Sequence, residues 1–407
     1  MKIKMSFWIM IIVAMNVCGN SIFSFDGMPL TYYGDDIYGQ GMGDTSLSDL
    51  FRINTNYHNP ANAVTANKVI FSTATTLGYQ WYMDENNGYR DNGLFFPYFS
   101  LNVPIRNHKF AFSYNSYMAG NLQNEQNLFW TADDGTEYNY TEENKISSNI
   151  YKINLLYALK NKYVNIGISA DYYFGHEIIF KEMDFDSYGM NDTKYEIEKT
   201  FKSAGYTIGL SKRYKNISLG FSYKSKAELT GDEIYRYNFT PGTDTIQDGN
   251  NLLEIPATYS TGITIKLLEK LKFSIANHYE LWEDTSYDES LENSYKVGFG
   301  IAYEPLSGFG NWYEKIPVRM GSYYRTLPFK KNNETIGEKG ITFGLSIPFK
   351  APGKRLDLAL VYSLRGEVSK HGIRDKNLQL SLGISGFDIF SKRLKKIGHR
   401  DIPKADY

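Results

Sequence analysis

The sequence lacks several features that identify common classes of protein. Its 407 residues contain a single cysteine, Cys18, so the chain has no disulfide framework. The formal net charge is −1, whereas a nucleic-acid-binding protein needs a basic face. The mean hydropathy of −0.41 excludes a bundle of membrane-spanning helices. The remaining possibilities are a chain built mainly from strands and a chain built from ordinary soluble domains.

The sequence also lacks the common patterns of catalytic and metal-binding sites. Its histidines do not fall at metal-ligand spacings from one another or from the cysteine. It contains neither a G-x-S-x-G turn nor a phosphate-binding glycine loop. His278 and Glu280 share the polar face of one segment, but a catalytic set also needs a serine at matching height. We therefore predict that the protein is not an enzyme and needs no metal and no cofactor.

Aromatic residues are abundant, at 16% of the chain, with 34 tyrosines among them. Tyrosine combines an apolar ring with a hydroxyl group, which suits strands and membrane interfaces. After residue 67, apolar residues alternate with small or polar ones, as expected of strands whose two faces differ. We count about fourteen such segments of roughly 10 to 14 residues, which is long for a soluble strand and typical of strands that cross a membrane.

The connections between these segments alternate between short turns and long polar stretches such as 120–145, 180–197 and 230–254. Outer-membrane barrels have this pattern, with short periplasmic turns and long outer loops. We therefore predict an all-β fold over residues 68–387: a transmembrane antiparallel β-barrel of about fourteen strands, in the bacterial outer membrane and in contact with its lipid. A soluble all-β secreted protein is a weaker alternative.

The first residues have the layout of a signal peptide. Lys2 and Lys4 precede an apolar stretch from Phe7 to Val17, and small residues follow it. The stretch is short for a membrane anchor, which needs about 20 apolar residues. We predict a cleaved signal peptide at residues 1–24. At the other end, the basic residues 388–407 are predicted to form a periplasmic tail.

The last predicted strand, at residues 377–387, illustrates the two faces of the barrel. Leu380 and Leu382 are expected to contact lipid, and Gln379 and Ser381 are expected to face the lumen. The same alternation assigns Phe387 to the lumen side. The terminal strands of such barrels often end with an aromatic residue on the lipid side, so this end does not fit the pattern.

Charged residues in the strands fall on the side that is predicted to face the lumen. Arg319, Arg325 and Arg365 are examples. A charge on the lipid face would cost about 2 to 4 kcal/mol at the middle of the bilayer, which favours this placement. These arginines either pair with carboxylates of the wall and of the segment inside it, or bind a ligand carboxylate through the planar guanidinium group. Pairing is the preferred interpretation.

The segment before the first strand, residues 25–67, does not alternate. It contains GQGMGDTSLSD at 39–49 and HNPANAV at 58–64. A barrel of this width has room for more than its own side chains, so we predict that the segment folds into the lumen as a hatch. The alternative is a disordered periplasmic leader.

These two motifs and their position before the first strand resemble the start of FadL-type outer-membrane transporters. Later segments at 255–263, 294–305, 316–329 and 355–366 are also similar to that family. The resemblance implies a 14-stranded barrel, a hatch that closes its lumen, and passage of long-chain fatty acids, toluene or similar compounds. It assigns the hatch motif to Asn59, Pro60 and Ala61.

The resemblance also implies two further sites. The ligand of such transporters leaves sideways into the membrane where one strand is kinked, and the matching positions here are Tyr117, Met118, Ala119 and Gly120. Long outer loops provide a first apolar contact for the ligand, and the matching cluster is Leu128, Phe129 and Trp130. Packing within the loop is an alternative explanation for that cluster.

Two functions therefore remain open. The first is passive uptake of a hydrophobic or amphipathic small molecule, such as a fatty acid or an aromatic hydrocarbon. The second is a barrel that serves as a binding or assembly platform in a secretion or envelope complex, with periplasmic or secretion proteins as partners. Nucleic acid is not expected as a partner of either.

Overall fold

The computed structural model describes residues 21–23, 28–32, 36–54, 58–85, 88–185, 192–237, 243–286, 290–305, 313–349 and 354–387. Only the backbone is described at 243–252, 313 and 387. The predicted tail and most of the predicted signal peptide lie outside these ranges. Within them, no helix is both long and apolar enough to cross a membrane.

The described strands form one antiparallel sheet of 18 strands. They are β1 Leu30–Thr31, β2 Ile70–Met83, β3 Gly88–Phe95, β4 Tyr98–Ile105, β5 His108–Thr131, β6 Glu137–Leu159, β7 Asn165–Phe185, β8 Thr193–Tyr214, β9 Ile217–Lys224, β10 Ala227–Tyr237, β11 Thr243–Ile255, β12 Thr258–Leu268, β13 Leu271–Glu280, β14 Ser294–Tyr303, β15 Val318–Lys331, β16 Glu334–Pro348, β17 Arg355–Arg365 and β18 Arg374–Phe387. Short helices occur at Ile37–Gln40 and Val368–His371, and 3₁₀ turns at Ser46–Ser48, Pro60–Thr65 and Tyr313–Lys315.

The sheet closes on itself because β18 pairs with β2, from Arg374 opposite Met83 to Phe387 opposite Phe71. Three wall strands are each interrupted once, so that β3 and β4, β9 and β10, and β11 and β12 are halves of single strands. The remaining element, β1, belongs to the segment before the barrel. The wall therefore has 14 strands, which confirms the predicted fold class.

Several strands are much longer than a membrane requires. β5, β6, β7 and β8 contain 24, 23, 21 and 22 residues, whereas about 9 to 11 tilted residues cross a bilayer. The prediction of loops at 120–145, 180–197 and 230–254 was thus largely wrong, because most of these residues lie in paired strands. Their polar residues occupy both faces, so the hydrophobic alternation ends while the backbone ladder continues.

The two faces of the wall follow the predicted alternation. In β18, Leu380 and Leu382 are 49% and 39% exposed on the outside, and Ser381 is buried inside. The backbone at the end of this strand does not continue the simple alternation. Gly386 has a φ of +79°, and one extra residue enters β18 before Phe387 pairs opposite Phe71. A bulge of this kind shifts the register by one position, which counting along the sequence does not reveal.

Part of the chain before β2 lies inside the barrel. We refer to residues 36–54 and 58–66 as the lumen segment. Its 3₁₀ turn Pro60–Thr65 contacts β6, β7 and β8, its turn Ser46–Ser48 contacts β9, β12 and β13, and its helix Ile37–Gln40 contacts β16 and β17. These strands lie on different sides of the ring, so the segment crosses the lumen. The predicted hatch limits, 25–67, stay a prediction.

The residues just before it also contact the barrel. The Ser21 hydroxyl donates to an Asp375 carboxylate oxygen at 2.8 Å, and Phe23 packs edge-on against His371. Ser21 and Phe23 are 0% and 2% exposed. These contacts favour a mature chain that keeps residues 21–23, and hence a cleavage site earlier than residue 24.

We predict that the mature protein begins at or before Ser21, because cleavage after residue 24 would leave Asp375 without its hydroxyl donor. Intact-mass measurement of protein purified from membranes checks this directly. A mature chain that starts after Ser21 would contradict it.

A charge on the lipid face should destabilise the barrel strongly. Leu360 lies at the centre of β17 and is 41% exposed on the outside. We predict that Leu360→Arg lowers the free energy of unfolding in lipid vesicles by about 2 to 4 kcal/mol. Gln126→Arg, on the exposed outer part of β5, is the control and should change it little. Equal effects of the two substitutions would show that the outside of β17 is not in lipid.

Candidate functional site: the segment inside the barrel

The Asn-Pro-Ala motif attaches the lumen segment to the wall. Asn59 caps the 3₁₀ turn Pro60–Thr65, since its side-chain oxygen accepts from the Ala61 N–H at 3.1 Å. Its amide nitrogen donates to the Leu210 carbonyl of β8 at 3.0 Å and to the Leu47 carbonyl at 3.3 Å. One buried asparagine therefore links the turn, the preceding part of the segment and the wall.

The wall accommodates the motif through two glycines that lie opposite each other in β7 and β8. These are Gly167 and Gly209. A Cβ atom at Gly167 would overlap the backbone of Pro60 and Ala61, and one at Gly209 would overlap the Asn59 side chain. The close approach of two backbones thus requires glycine here. The sequence contained these glycines, but nothing in it indicated which part of the segment they would meet.

Buried ion pairs form the second attachment. Lys272 of β13, 1% exposed, lies 2.9 Å from an Asp49 carboxylate oxygen and 3.0 Å from one of Glu304. Arg52 pairs with Asp49 at 3.0 Å and with Asp36 at 2.5 Å. Burial alone would raise the pKa of Asp49, but the positive charges of Lys272 and Arg52 outweigh it and hold the pKa at about 2. The Asp49 carboxylate therefore stays ionised at physiological pH.

Tyr38 lies at the centre of this charge cluster. Its hydroxyl donates to the Glu304 carboxylate at 2.5 Å. The guanidinium carbons of Arg52 and Arg319 lie 4.0 and 4.1 Å from its ring centroid, and the Lys272 nitrogen lies 5.0 Å away. An aromatic ring attracts cations, so Tyr38 helps to hold positive charges from the wall and from the segment together.

The three predicted arginines all lie in the lumen and are engaged by carboxylates. Arg319 lies 3.8 Å from Asp357 and donates to the Ser346 hydroxyl. Arg325 and Arg365 share Glu338, at 2.6 and 2.9 Å. Arg365 also pairs with Asp375 at 2.5 Å. This geometry supports the pairing interpretation, and ligand binding by the arginines stays a prediction.

The wall is interrupted at the predicted lateral site. β4 pairs with β5 only as far as Asn115, opposite Tyr98, and β5 has a bulge between Ser116 and Met118. Beyond it, the described residues show no ladder between β3 and β5. Instead, β1 pairs there, with Leu30 opposite Ala119 and Thr31 opposite Met118. The residues 117–120 therefore adjoin a gap in the wall that β1 occupies in part.

The predicted apolar cluster lies at the outer end of β5, far from the lumen segment. Phe129 and Trp130 are 64% and 49% exposed. Trp130 stacks on Tyr138 of β6, with 5.7 Å between ring centroids. Leu128 is opposite Tyr140 in the same ladder. The cluster belongs to a two-stranded hairpin and not to a loop, and its role in binding stays a prediction.

Two cavities that described residues line inside the barrel are small and polar. One of about 10 Å³ lies beside His58, Lys152, Lys224 and His278. The other, of about 70 Å³, lies beside Arg325, Glu338 and Arg365. A larger groove of about 580 Å³ has apolar walls, but residues such as Phe110, Leu155 and Ile168 place it on the lipid-facing outside. Pockets for small ligands are usually about 300 to 1,000 Å³, so each of these two lumen cavities is smaller than such a pocket.

Comparisons with known proteins agree with this fold. The family model described as BamG matches residues 2–395. The comparison with curated proteins finds no match. A FadL homologue of Pseudomonas aeruginosa superposes with a TM-score of 0.64 at 13% identity, over 89% of this chain and 100% of the other. The toluene transporter TodX of Pseudomonas putida gives a TM-score of 0.59 at 14% identity, over 87% and 97%. These likenesses establish a FadL-like barrel fold.

The glycine contacts predict how the lumen segment can be displaced. Gly167→Ala places a Cβ against the backbone of Pro60 and Ala61, so we expect the turn to move and the lumen to open. Gly78→Ala is the control, because the nearest atom to its Cβ is 3.8 Å away. Conductance in planar lipid bilayers should rise for the first variant and match wild type for the second. Equal conductance in both variants would contradict the account.

Proposed function

The chain belongs to the BamG family, and we propose that it serves as a binding platform for proteins of the cell envelope, seated in the bacterial outer membrane. The observation that carries this proposal is the filled lumen. The segment inside is fixed by a buried hydrogen-bonded motif and by buried ion pairs, among them Lys272 with Asp49 and Arg52 with Asp36. Leaving one member of a buried pair without its partner costs about 3 to 5 kcal/mol, which disfavours displacement of the segment.

The long hairpins supply the surface that a platform needs. Beyond the span of a bilayer, β5 to β8 continue as a paired sheet, with β5–β6 paired as far as Thr131 opposite Glu137. Exposed aromatic residues lie at its outer end, including Phe129 and Trp130. Aromatic side chains are enriched where proteins bind one another, because they bury large areas with few rotatable bonds. The predicted apolar cluster would then contact a protein partner.

Passive uptake of hydrophobic small molecules is the second candidate, and the interrupted wall at 117–120 favours it. In the FadL-type transporters that the sequence resembles, the ligand leaves sideways through such a gap. Movement of β1 away from Met118 and Ala119 would widen the gap towards the lipid. Leu128, Phe129 and Trp130 would then be the first contact for a fatty acid or an aromatic hydrocarbon, and a lumen arginine would meet its carboxylate. This route requires the small polar cavities to enlarge.

Two assays on the same protein separate these candidates. We predict that affinity purification from native membranes yields a stoichiometric protein partner, and that liposomes containing the protein take up labelled fatty acid or toluene no faster than empty ones. Replacing residues 124–144 by a two-residue turn should remove the partner, while heat-modifiable migration on a gel shows that the barrel still folds. Uptake above that of empty liposomes, without a protein partner, would overturn the platform and establish transport.

A further inference from the structure

The outer half of β5 has an open edge. Its other edge is paired with β6 along the whole strand. On the open side, β4 ends its pairing at Asn115 and β1 pairs only with Met118 and Ala119. Among the described residues, none pairs with this edge between 122 and 131, and β3 across the gap pairs only with β2. Pro29, next to β1, has no N–H to extend that ladder.

The backbone groups that point to this edge can be identified. The Tyr32 N–H donates to the Tyr117 carbonyl at 2.7 Å, so residue 117 directs its carbonyl towards the open side. Antiparallel strands direct every second residue to the same side. The β5–β6 register is regular beyond Met118, so Gln123, Glu125 and Asn127 present their N–H and C=O groups to the open edge. A ladder of donors and acceptors is therefore in place.

The side chains along this edge do not protect it. Natural proteins usually guard an edge strand with lysine, proline, bulges or short length, because an unguarded edge pairs with other chains. Residues 122–131 contain one charged residue, Glu125, and no lysine or proline. They include Gln123, Asn124, Gln126 and Asn127, whose uncharged amides are compatible with a neighbouring strand. Long and unguarded, the edge has the properties of a strand-binding site.

We propose that this edge binds an extended segment of a partner protein, which adds to β5 as an antiparallel strand beside residues 122–131. The inference rests on the proposed platform function and gives that function its mode of binding. The chain already uses this mode, because its own β1 adds antiparallel to the same edge at Met118 and Ala119, just before residues 122–131. The partner segment continues that ladder outward.

The side chains of β5 also define the chemistry of the segment. Beside Gln123 and Asn127, uncharged polar or β-branched residues fit best, since the amides of these two residues offer hydrogen bonds but no charge to a cross-strand neighbour. Beside Phe129 and Trp130, which are exposed on opposite faces, the segment places an apolar or aromatic residue on each face. Main-chain hydrogen bonds provide the affinity, and these alternate positions provide the specificity.

Photocrosslinking in native membranes tests the register. A photoreactive phenylalanine analogue is placed singly at Gln123, Asn127 or Phe129, and the crosslinked residue of the partner is found by mass spectrometry. A strand added antiparallel predicts that each shift of two residues outward on β5 moves the crosslink two residues towards the partner's N-terminus. Crosslinks scattered without this order, or absent although the partner copurifies, would overturn the strand addition and leave the platform standing.

A matched pair of variants tests the main-chain contact. Glu125→Pro removes an edge-directed N–H, and Glu125→Thr removes the same charge while it keeps that N–H. We expect Glu125→Pro to reduce crosslinking at Gln123 and Asn127 about tenfold, the cost of an unmade hydrogen bond, and Glu125→Thr to leave it unchanged. Both variants must show heat-modifiable migration. Equal crosslinking in the two variants would contradict the proposal, and the absence of any copurifying partner in wild type would instead contradict the platform.

Discussion

The rest of the structure depends on the neutralisation of buried charge between the wall and the segment inside it. Lys272 and Lys296 are buried inside the barrel, and Asp49 and Asp44 of the lumen segment pair with them. An unpaired charge in such a place costs several kcal/mol. Removal of the segment would take Asp49 and Asp44 away from Lys272 and Lys296, so the wall supplies part of the charge that holds the segment in place. Because the glycines at 167 and 209 have no Cβ, the turn that begins at Pro60 can approach the wall closely.

The same constraint decides what the barrel can do. The FadL-like fold alone does not determine a function. In this barrel, the paired charges fill the lumen and leave only small polar cavities among the described residues. The outer halves of β5 to β8 have the opposite character, because they are polar, extended and unconstrained by lipid. Under the proposed function, contacts with other proteins are made by these strands outside the membrane, and the open edge of β5 lies next to Met118 and Ala119, where β1 pairs with the wall.

The sequence predicted the membrane part of the fold well for a physical reason. Lipid forces an apolar face on every spanning strand, so the alternation around Leu380 reports the strand and its orientation together. Where lipid ends, this signal ends too, and the hairpin at 120–145 was therefore predicted as a loop. The bulge before Phe387 was missed because a register shift depends on one backbone angle at Gly386. The sequence predicted that Arg319, Arg325 and Arg365 face the lumen. It did not predict which carboxylates they pair with, because those residues are separated from them along the chain.

Hydrogen–deuterium exchange of the intact protein in lipid nanodiscs tests the central claim most directly. Residues 36–54 and 58–66 pack inside the barrel and are held there by buried hydrogen bonds and ion pairs. Their amides should therefore exchange as slowly as those in the spanning part of β12 and β13, over hours, because both open only when the barrel unfolds. Exchange of the segment within seconds, while the wall strands stay protected, would show that the lumen opens in the native state and would contradict the account.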